Sequence, residues 1–256
     1  MTKQLLIYEN AVPISAEHHK DLSVRKDDTW GFARGLHSVP LVAAEFEQAC
    51  AEMPVVFAGQ GDDLTPVGLL GVEVGENLFL DAGDRWRGRY VPAFLRRYPF
   101  VFATTGEARE TLTLCLDTGF AGVNADGRGE RLFDADGNRT EYLARMLKFA
   151  SDYQAQHQMT RSFGKRLAAL GILESVVANV SLPGGQSFTL RGFQRVNREK
   201  LAALPDDVVL ELFRNDMLTL IHFHLASLNQ MNRLLERKKS AAPPAPTHDN
   251  DQEVPA

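Results

Sequence analysis

The apolar positions that follow Thr140 recur every three or four residues, which is the period of a helix with one buried face. They are Leu143, Met146, Leu147, Ala150 and Tyr153. The Thr140 hydroxyl can accept a hydrogen bond from a backbone N–H of the first turn, so we predict that the helix begins directly after it. Gly171 is a typical residue just beyond a helix end. The pattern leaves open whether residues 162–170 continue this helix or form a second short one.

Short apolar runs separated by glycine and aspartate predict the strands of a sheet. These runs are Gln4–Tyr8, Pro54–Phe57, Val67–Val72, Asn77–Leu80, Pro99–Ala103, Leu112–Leu116, Leu173–Val180 and Ser187–Val196. Their spacing is typical of hairpins and meanders, and Pro183, Gly184 and Gly185 favour a tight turn between the last two runs. The spacing therefore predicts a mostly antiparallel sheet.

A further helix is predicted in the first quarter of the chain. Ser38 and Pro40 are typical of a helix start, and the apolar positions from Leu41 to Met53 fall roughly on one face. Pro54 is expected to end this helix, because proline cannot continue the backbone hydrogen-bond pattern.

The C-terminal part is predicted to be helical. Asn197 can cap a short helix, and Asp206 with Asp207 suits the first turn of another. The apolar stripe of Met217–Arg237 predicts one long amphipathic helix. Such a stripe fits either the core or an interface between copies of the chain, so a homo-oligomer stays open.

These elements together predict an α+β fold class, with a mostly antiparallel multi-stranded sheet flanked by helices and a helical C-terminal part. We expect a single domain over residues 1–237. Residues 238–256 are rich in proline, alanine and charge, and are predicted to form a disordered tail, because such a composition buries little apolar surface.

Composition changes the picture mainly by excluding partners. The 256 residues carry a formal net charge of -5 with 44% hydrophobic residues, which is typical of a globular protein without a field that attracts polyanions. We therefore predict no nucleic-acid partner. No apolar stretch approaches the ~20 residues that span a bilayer, so no transmembrane segment is predicted.

The predicted compartment is the cytoplasm. The apolar run of residues 5–8 is too short for a secretion signal. Cys50 and Cys115 lie far apart in apolar contexts, so we expect two buried free thiols and no disulfide. The alternative is the cell surface, reached by an export route that needs no signal peptide.

The histidines and acidic loops match metal or catalytic motifs poorly. His19 and Asp21 fit two ligands of an iron site, but an irregular polar segment holds such ligands badly. His222 and His224 lack the spacing of a helical metal pair. The loop that begins at Asp134 has arginines where a calcium loop needs glycine and glutamate, so a tight turn is predicted.

No metal or cofactor is therefore predicted, and the catalytic residues stay unknown. The common sequence signatures of hydrolases, metalloproteases, redox proteins and nucleotide-binding proteins are missing from the chain. This favours a non-enzymatic protein without excluding an enzyme, because catalytic groups can also meet from distant positions in the sequence.

The run Asp81–Phe102 is the strongest candidate for a ligand site. It contains five arginines and six aromatic residues around two prolines. Arginine offers fork-shaped donors and aromatic rings offer stacking faces, a combination that suits a small anionic or carbohydrate ligand. The ligand-binding candidates are Trp86, Arg89, Tyr90, Arg96, Arg97 and Tyr98. The alternative is structural, with rings packed on the sheet and arginines paired with acidic residues or water.

Several separated motifs, in order, resemble the bacterial SapC family, whose name refers to a protein associated with a surface layer. They are Val39-Pro40-Leu41, Glu45-Phe46, Pro54–Phe57, Leu69–Gly71, Asn77–Phe79, Trp86, Tyr90–Phe94, Arg96–Phe100, Gly171–Leu173, Phe193, Leu201–Leu204 and His224–Leu228. The resemblance covers about residues 4–235. It implies a link to surface layers and no agreed catalytic residues.

The sequence thus supports two functional hypotheses. The first is a non-enzymatic binding or accessory protein of the SapC type, with an intracellular role linked to the cell envelope or surface layer. The second is an enzyme, or the partner of an enzyme, that acts on a small anionic or carbohydrate ligand through residues 81–102. An open cleft on which the arginines of this run converge would favour the second hypothesis.

Overall fold

The computed structural model describes residues 7–26, 28–105, 111–181 and 187–241. Its strands are β1 (Ala11–Pro13), β2 (Ser23–Val24), β3 (Ser38–Pro40), β4 (Val55–Ala58), β5 (Thr65–Leu69), β6 (Phe100–Thr105), β7 (Thr111–Asp117), β8 (Val123–Asn124), β9 (Glu130–Arg131), β10 (Leu173–Ser181) and β11 (Ser187–Val196). Its α-helices are α1 (Ala16–His19), α2 (Phe46–Ala49), α3 (Ala93–Arg96), α4 (Glu141–Leu170), α5 (Arg198–Ala202), α6 (Asp206–Arg214), α7 (Met217–Ser227) and α8 (Gln230–Ala241). Short 3₁₀ helices cover Gly31–Ala33, Ala43–Glu45 and Gly61–Asp63.

The strands form three sheets in which neighbouring strands run antiparallel. The largest has the order β10-β11-β4-β5-β3, the second β1-β7-β6 and the smallest β8-β2-β9. In the described part of the chain, four helices follow strand β11. The predicted α+β class, with antiparallel strands and a helical C-terminal part, is confirmed. Among the described residues, none of the helices combines the length and apolar character that crossing a bilayer requires.

Helix α4 connects two hydrophobic cores. Its C-terminal half contributes Phe163 and Leu167 to the main core around the five-stranded sheet. Its N-terminal half contributes Tyr142, Leu143 and Ala150 to a second core with strands β6 and β7. With 30 residues the helix is about 45 Å long, which lets one element stabilise both cores.

The predicted ends of α4 are confirmed. The Thr140 hydroxyl accepts a hydrogen bond from the backbone N–H of Leu143 at 3.3 Å. Gly171 ends the helix with a φ of 64°, a left-handed conformation that glycine adopts without steric cost. Residues 162–170 continue the same helix. The predicted Asn197 cap is also present, since its side chain accepts from the N–H of Lys200.

The predicted helix from Leu41 to Met53 is wrong in its first part. Ser38–Pro40 forms strand β3, which pairs with β5 at the edge of the five-stranded sheet. An edge position tolerates proline, because one side of an edge strand needs no backbone donors. The helical part is confined to two short pieces between Ala43 and Ala49.

The prediction of one helix over Met217–Arg237 is also wrong, because the chain turns between α7 and α8. The Ser227 hydroxyl donates to the His224 carbonyl at 2.6 Å and accepts from the Val55 N–H at 2.9 Å. These contacts attach the end of α7 to strand β4. The apolar period continues through the break, which explains why periodicity alone did not detect it.

The predicted strand at Asn77–Leu80 is a turn-rich segment instead. The Asn77 side-chain oxygen accepts from the backbone N–H of Phe79 at 3.0 Å, a local bond that competes with strand pairing. A single bridge links Leu80 to Trp86. This segment therefore packs its apolar side chains without extending the sheet.

Some predictions fall partly or wholly outside the described residues. These are residues 4–6 of the first predicted strand, the turn at 183–185 and residues 242–256 of the predicted tail. Ile7 and Tyr8 are described and are not part of a strand. Lys238, placed in the tail by composition, lies in α8, and its ammonium group pairs with Glu73 and Glu76.

Gly164 sits where α4 passes closest to the polypeptide before β5. A Cβ atom at this position would lie 2.5 Å from the Leu64 carbonyl oxygen. We expect Gly164→Ala to lower the free energy of unfolding by about 2 kcal/mol, because the helix must move away from a backbone atom. Urea denaturation measures this.

Gly35→Ala is the matched control, because a Cβ at Gly35 would meet no atom within 4 Å. Its effect on the free energy of unfolding should be small. At Gly164, which is inside a helix, alanine would be favoured over glycine by about 1 kcal/mol if no close contact opposed it. A Gly164→Ala protein that is more stable than wild type would therefore disprove the close packing of α4 on Leu64.

Candidate functional site

The arginine and aromatic run Asp81–Phe102 divides into an exposed part and a buried part. Arg85, Arg87, Arg89 and Arg96 are exposed. Arg97 and Tyr98 are buried, with 3% and 6% of their surface accessible. The six ligand-binding candidates of the sequence therefore do not converge on one open cleft.

The Arg97 side chain is enclosed by aromatic rings. Its guanidinium carbon lies 4.5 Å from the ring centre of Tyr153 on α4 and 4.7 Å from that of Phe94 on α3. The Tyr8 ring is a third neighbour at 5.8 Å. A cation over ring faces is stabilised by their negative electrostatic potential. Arg97 therefore has a structural role between the N-terminal segment, α3 and α4.

Trp86, Tyr90 and Arg96 lie next to one another on the outside of the fold. The Trp86 indole stacks on Phe79 at a centroid distance of 5.1 Å, and its N–H donates to the Tyr90 carbonyl at 2.9 Å. The Arg96 guanidinium lies 5.7 Å from the Tyr90 ring centre and 5.4 Å from that of Phe149. Each side chain is thus engaged by its neighbours, and the three form a packed surface.

Glu45 anchors this surface to the rest of the protein. Its buried carboxylate accepts hydrogen bonds from the Tyr90 hydroxyl at 2.5 Å, the Ala93 N–H at 2.7 Å and the Val42 N–H at 2.8 Å. Burial and the Glu45 charge raise the pKa of Tyr90, so its hydroxyl stays protonated and continues to donate. Glu45 therefore connects the run, at Tyr90 and Ala93, to the buried segment that contains Glu45.

Tyr98 is the candidate residue that faces a described cavity. This cavity, called here the tyrosine cavity, has a volume of about 260 Å³. Its lining residues are Glu9, Arg25, Thr29, Gly31, Phe32, Tyr98, Gly119, Phe120, Ala121 and Gly122. The Tyr98 ring packs against Phe32 at 4.3 Å and Phe120 at 5.2 Å between centroids. The floor of the cavity is therefore aromatic.

The mouth of the tyrosine cavity carries charges of both signs. Arg25 and Glu9 are both exposed. Glu9 precedes α1 in the chain, and Arg25 follows it. A Cβ atom on Gly119 would lie 2.9 Å from a Glu9 carboxylate oxygen. A side chain at Gly119 would therefore crowd the Glu9 carboxylate at the mouth.

Asp117 connects the chain segments around the tyrosine cavity by hydrogen bonds. Its fully buried carboxylate accepts from the N–H groups of Glu9 at 2.9 Å, Asn10 at 2.8 Å and Gly119 at 3.1 Å. The Tyr98 hydroxyl donates to it at 3.3 Å. Burial and the Asp117 charge raise the pKa of Tyr98, so this hydroxyl stays protonated.

Glu9, Arg25, Phe32 and Phe120 line the tyrosine cavity but were not predicted from the sequence as site residues. They are separated by up to 111 positions and belong to no common motif. Each has an ordinary local context, and only the folding of distant segments against Tyr98 brings them together. The local sequence around each of these residues therefore carries no signal for such a set.

His224 and the acidic loop have structural environments. His224 is fully buried, with Nδ1 donating to the Val55 carbonyl at 2.7 Å and Nε2 accepting from the Val196 N–H at 3.0 Å. The Asp134 carboxylate accepts from two backbone N–H groups and forms the predicted tight turn. Within the described part of the chain, no three His, Cys, Asp or Glu side chains are grouped so that they could hold a metal ion.

The two cysteines are free thiols. Cys115 is buried, as predicted, and burial raises its pKa. Cys50 is only half-buried, because it lies at the end of α2 with its thiol directed to the Glu47 carbonyl. Burial also raises the pKa of Cys50, which disfavours the reactive thiolate form.

Comparison with known proteins gives one family match. The family model described as SapC matches residues 14–234, which is most of the chain. No curated protein and no solved structure matches. The matched region contains the run Asp81–Phe102 and most of the lining of the tyrosine cavity.

Proposed function

The chain belongs to the SapC family, and we propose that it is a non-enzymatic binding protein with an accessory role at the cell envelope. Its proposed ligand is a sugar unit that carries a carboxylate or another anionic group. The observation that carries this proposal is the tyrosine cavity, with its aromatic floor and its arginine at the mouth. A concave site with a few converging polar groups is the usual form of a small-ligand site.

The floor suits the apolar face of a sugar ring. Tyr98, Phe32 and Phe120 present aromatic surface in one small volume. Their faces can pack against the C–H groups of a pyranose, which are its least hydrated part. The volume of about 260 Å³ lies just below the ~300 Å³ at which pockets for drug-sized ligands begin, which favours a single sugar unit over an oligosaccharide.

The mouth suits an anionic substituent together with hydroxyl groups. Arg25 offers a planar fork of donors that matches a carboxylate in two-point geometry. Glu9 offers acceptors for sugar hydroxyl groups. The exposed glycines at positions 31 and 119 leave the backbone open to the same space.

The carboxylates of this region favour binding over catalysis. Hydrolysis of a glycosidic bond usually needs two carboxyl groups that can both reach the sugar. Glu9 is exposed, but Asp117 is buried and already accepts from four donors. The raised pKa of Tyr98 also makes its hydroxyl a poor acid or base near neutral pH.

The proposed place of action is the cytoplasmic side of envelope assembly. The support is the pair of free thiols, Cys50 and Cys115, because thiols persist in a reducing compartment. Fractionation of the producing cells tests this, because recovery of the protein on the outer surface would contradict it.

NMR titration of the full chain with glucuronate and glucose tests the ligand. We expect glucuronate to bind more tightly than glucose. Arg25→Gln should weaken glucuronate binding about tenfold, the effect of losing one charge-assisted contact, and leave glucose binding unchanged. Phe120→Ala should weaken the binding of both sugars, because both use the aromatic floor.

Arg128→Gln is the matched control, because Arg128 is an exposed arginine in a nearby turn that pairs with Asp126 instead of lining the cavity. Its affinities should equal those of the wild type. If Arg25→Gln and Arg128→Gln weakened glucuronate binding equally, the effect would come from net charge alone, and this would contradict the proposal. If the wild type converted a glucuronide chemically, the enzymatic hypothesis would replace the binding hypothesis.

A further inference from the structure

A larger cavity opens between strand β7 and the first turns of α4, beside the hydrophobic core of the second sheet. This cavity, called here the sheet cavity, has a volume of about 620 Å³. Its lining residues are Ile14, Ser15, Ala16, Phe102, Leu112, Thr113, Leu114, Phe133, Gly137, Asn138, Arg139, Leu143 and Leu147. The volume lies within the range of ~300–1,000 Å³ that small-ligand sites occupy.

Part of the lining of the sheet cavity is apolar. Leu114, Phe133 and Leu143 belong to the second core, and Leu147 packs against it. The cavity therefore borders that core. Leu112 lies 48% exposed at its edge, an unfavourable position for leucine in water that an apolar ligand would cover.

One charged group of the lining is available to a ligand. Arg139 is exposed, and among the described residues no carboxylate lies within 4 Å of its guanidinium. An exposed arginine without a carboxylate partner can pair with the anionic group of a ligand.

We propose that the sheet cavity binds a small amphipathic carboxylate, such as a medium-chain fatty acid. The apolar tail lies between β7 and α4, and the carboxylate pairs with Arg139. Apolar core side chains together with a cation in the lining fit a ligand that is hydrophobic at one end and negative at the other. A neutral or cationic amphiphile lacks the negative group that pairs with Arg139.

This second site is independent of the proposed sugar site, because the two cavities share no lining residue. Ligand binding would also couple to the second core, since the tail contacts side chains that hold α4 against β7. An occupied cavity should therefore raise the unfolding temperature of the protein.

Calorimetric titration of the full chain with decanoate, decanol and decyltrimethylammonium, each below its micelle concentration, tests the proposal. We expect decanoate to bind most tightly and the cation most weakly. Arg139→Gln should weaken decanoate about tenfold and leave decanol unchanged. Leu147→Trp, which fills the cavity from α4, should remove the binding of both.

Arg145→Gln is the matched control, because Arg145 is exposed in the first turns of α4, pairs with Glu141 and does not line the cavity. It should bind decanoate like the wild type. The proposal fails if the wild type binds none of the three probes, or if Arg139→Gln and Arg145→Gln weaken decanoate equally. A dimer that Leu147→Trp dissociates, without decanoate binding, would assign the cavity to a second copy of the chain and overturn the proposal.

Discussion

Asp117→Ala is expected to lower the free energy of unfolding by about 4 kcal/mol, because several buried donors lose their acceptor at once. The carboxylate receives three backbone N–H groups and the Tyr98 hydroxyl, and none of its surface is exposed. Two of those N–H groups belong to Glu9 and Asn10, so the substitution also removes two of the hydrogen bonds that hold the N-terminal segment to the sheet. Urea denaturation at neutral pH measures the loss.

Asp126→Ala is the control for this substitution, because Asp126 is exposed and pairs with Arg128 in its own turn. Its effect should stay within about 0.5 kcal/mol. The Asp117→Ala protein should also lose the sugar affinity of the tyrosine cavity, since Glu9 and Tyr98 lose their common anchor. A loss of stability no larger than that of the control would contradict the anchoring role.

Stability is expected to fall by about 3 kcal/mol between pH 7 and pH 4 because of His224 alone. Burial lowers the pKa of His224 to about 4, against 6.5 for the unfolded chain. Between these two values the unfolded state binds a proton that the folded state does not, so acid favours unfolding. The contribution is complete above pH 6.5 and is lost as the pH falls towards 4.

His224→Ala separates this contribution from the other acid-sensitive groups. At pH 7 the variant should be less stable by about 4 kcal/mol, because the Val196 N–H and the Val55 carbonyl lose their partner and a void remains. At pH 4 the difference from wild type should shrink to about 1 kcal/mol. Denaturation curves over this pH range measure the difference.

His222→Ala serves as the control, because His222 is exposed two residues away on α7. Its stability should follow the wild type at every pH. Parallel curves for wild type and His224→Ala would mean that the folded protein binds the proton at this site as readily as the unfolded chain does.

Local chemistry in the sequence predicted the ends of elements well. Thr140, Gly171 and Asn197 each act through their own side chain or backbone conformation, so their roles follow from residue type and position. The strands before and after residues 182–186 were predicted from their apolar runs and from Pro183, Gly184 and Gly185 between them.

The errors in the fold arise where distant contacts override local preference. Ser38–Pro40 looks like a helix start, but pairing with β5 selects the extended backbone. The break after Ser227 depends on Val55, which is 172 positions away. No window along the chain contains both partners, so periodicity could not have indicated the break.

The candidate site was predictable only in part. Tyr98 was named from its place in the arginine and aromatic run, and it faces the tyrosine cavity. Arg97 beside it has the same composition around it but is buried between two rings. Adjacent residues on a short helix end point in different directions, and the sequence holds no signal that tells which one reaches a cavity.

The two tryptophans of the chain lie side by side, with Trp30 and Trp86 at a centroid distance of 6.4 Å. All indole fluorescence of the protein therefore originates in one corner of the fold. Trp30 is flanked by Thr29 and Gly31, which both line the tyrosine cavity, whereas the sheet cavity has no tryptophan in its lining. A change in emission on adding a ligand would thus indicate which of the two cavities it enters, without labelling the protein.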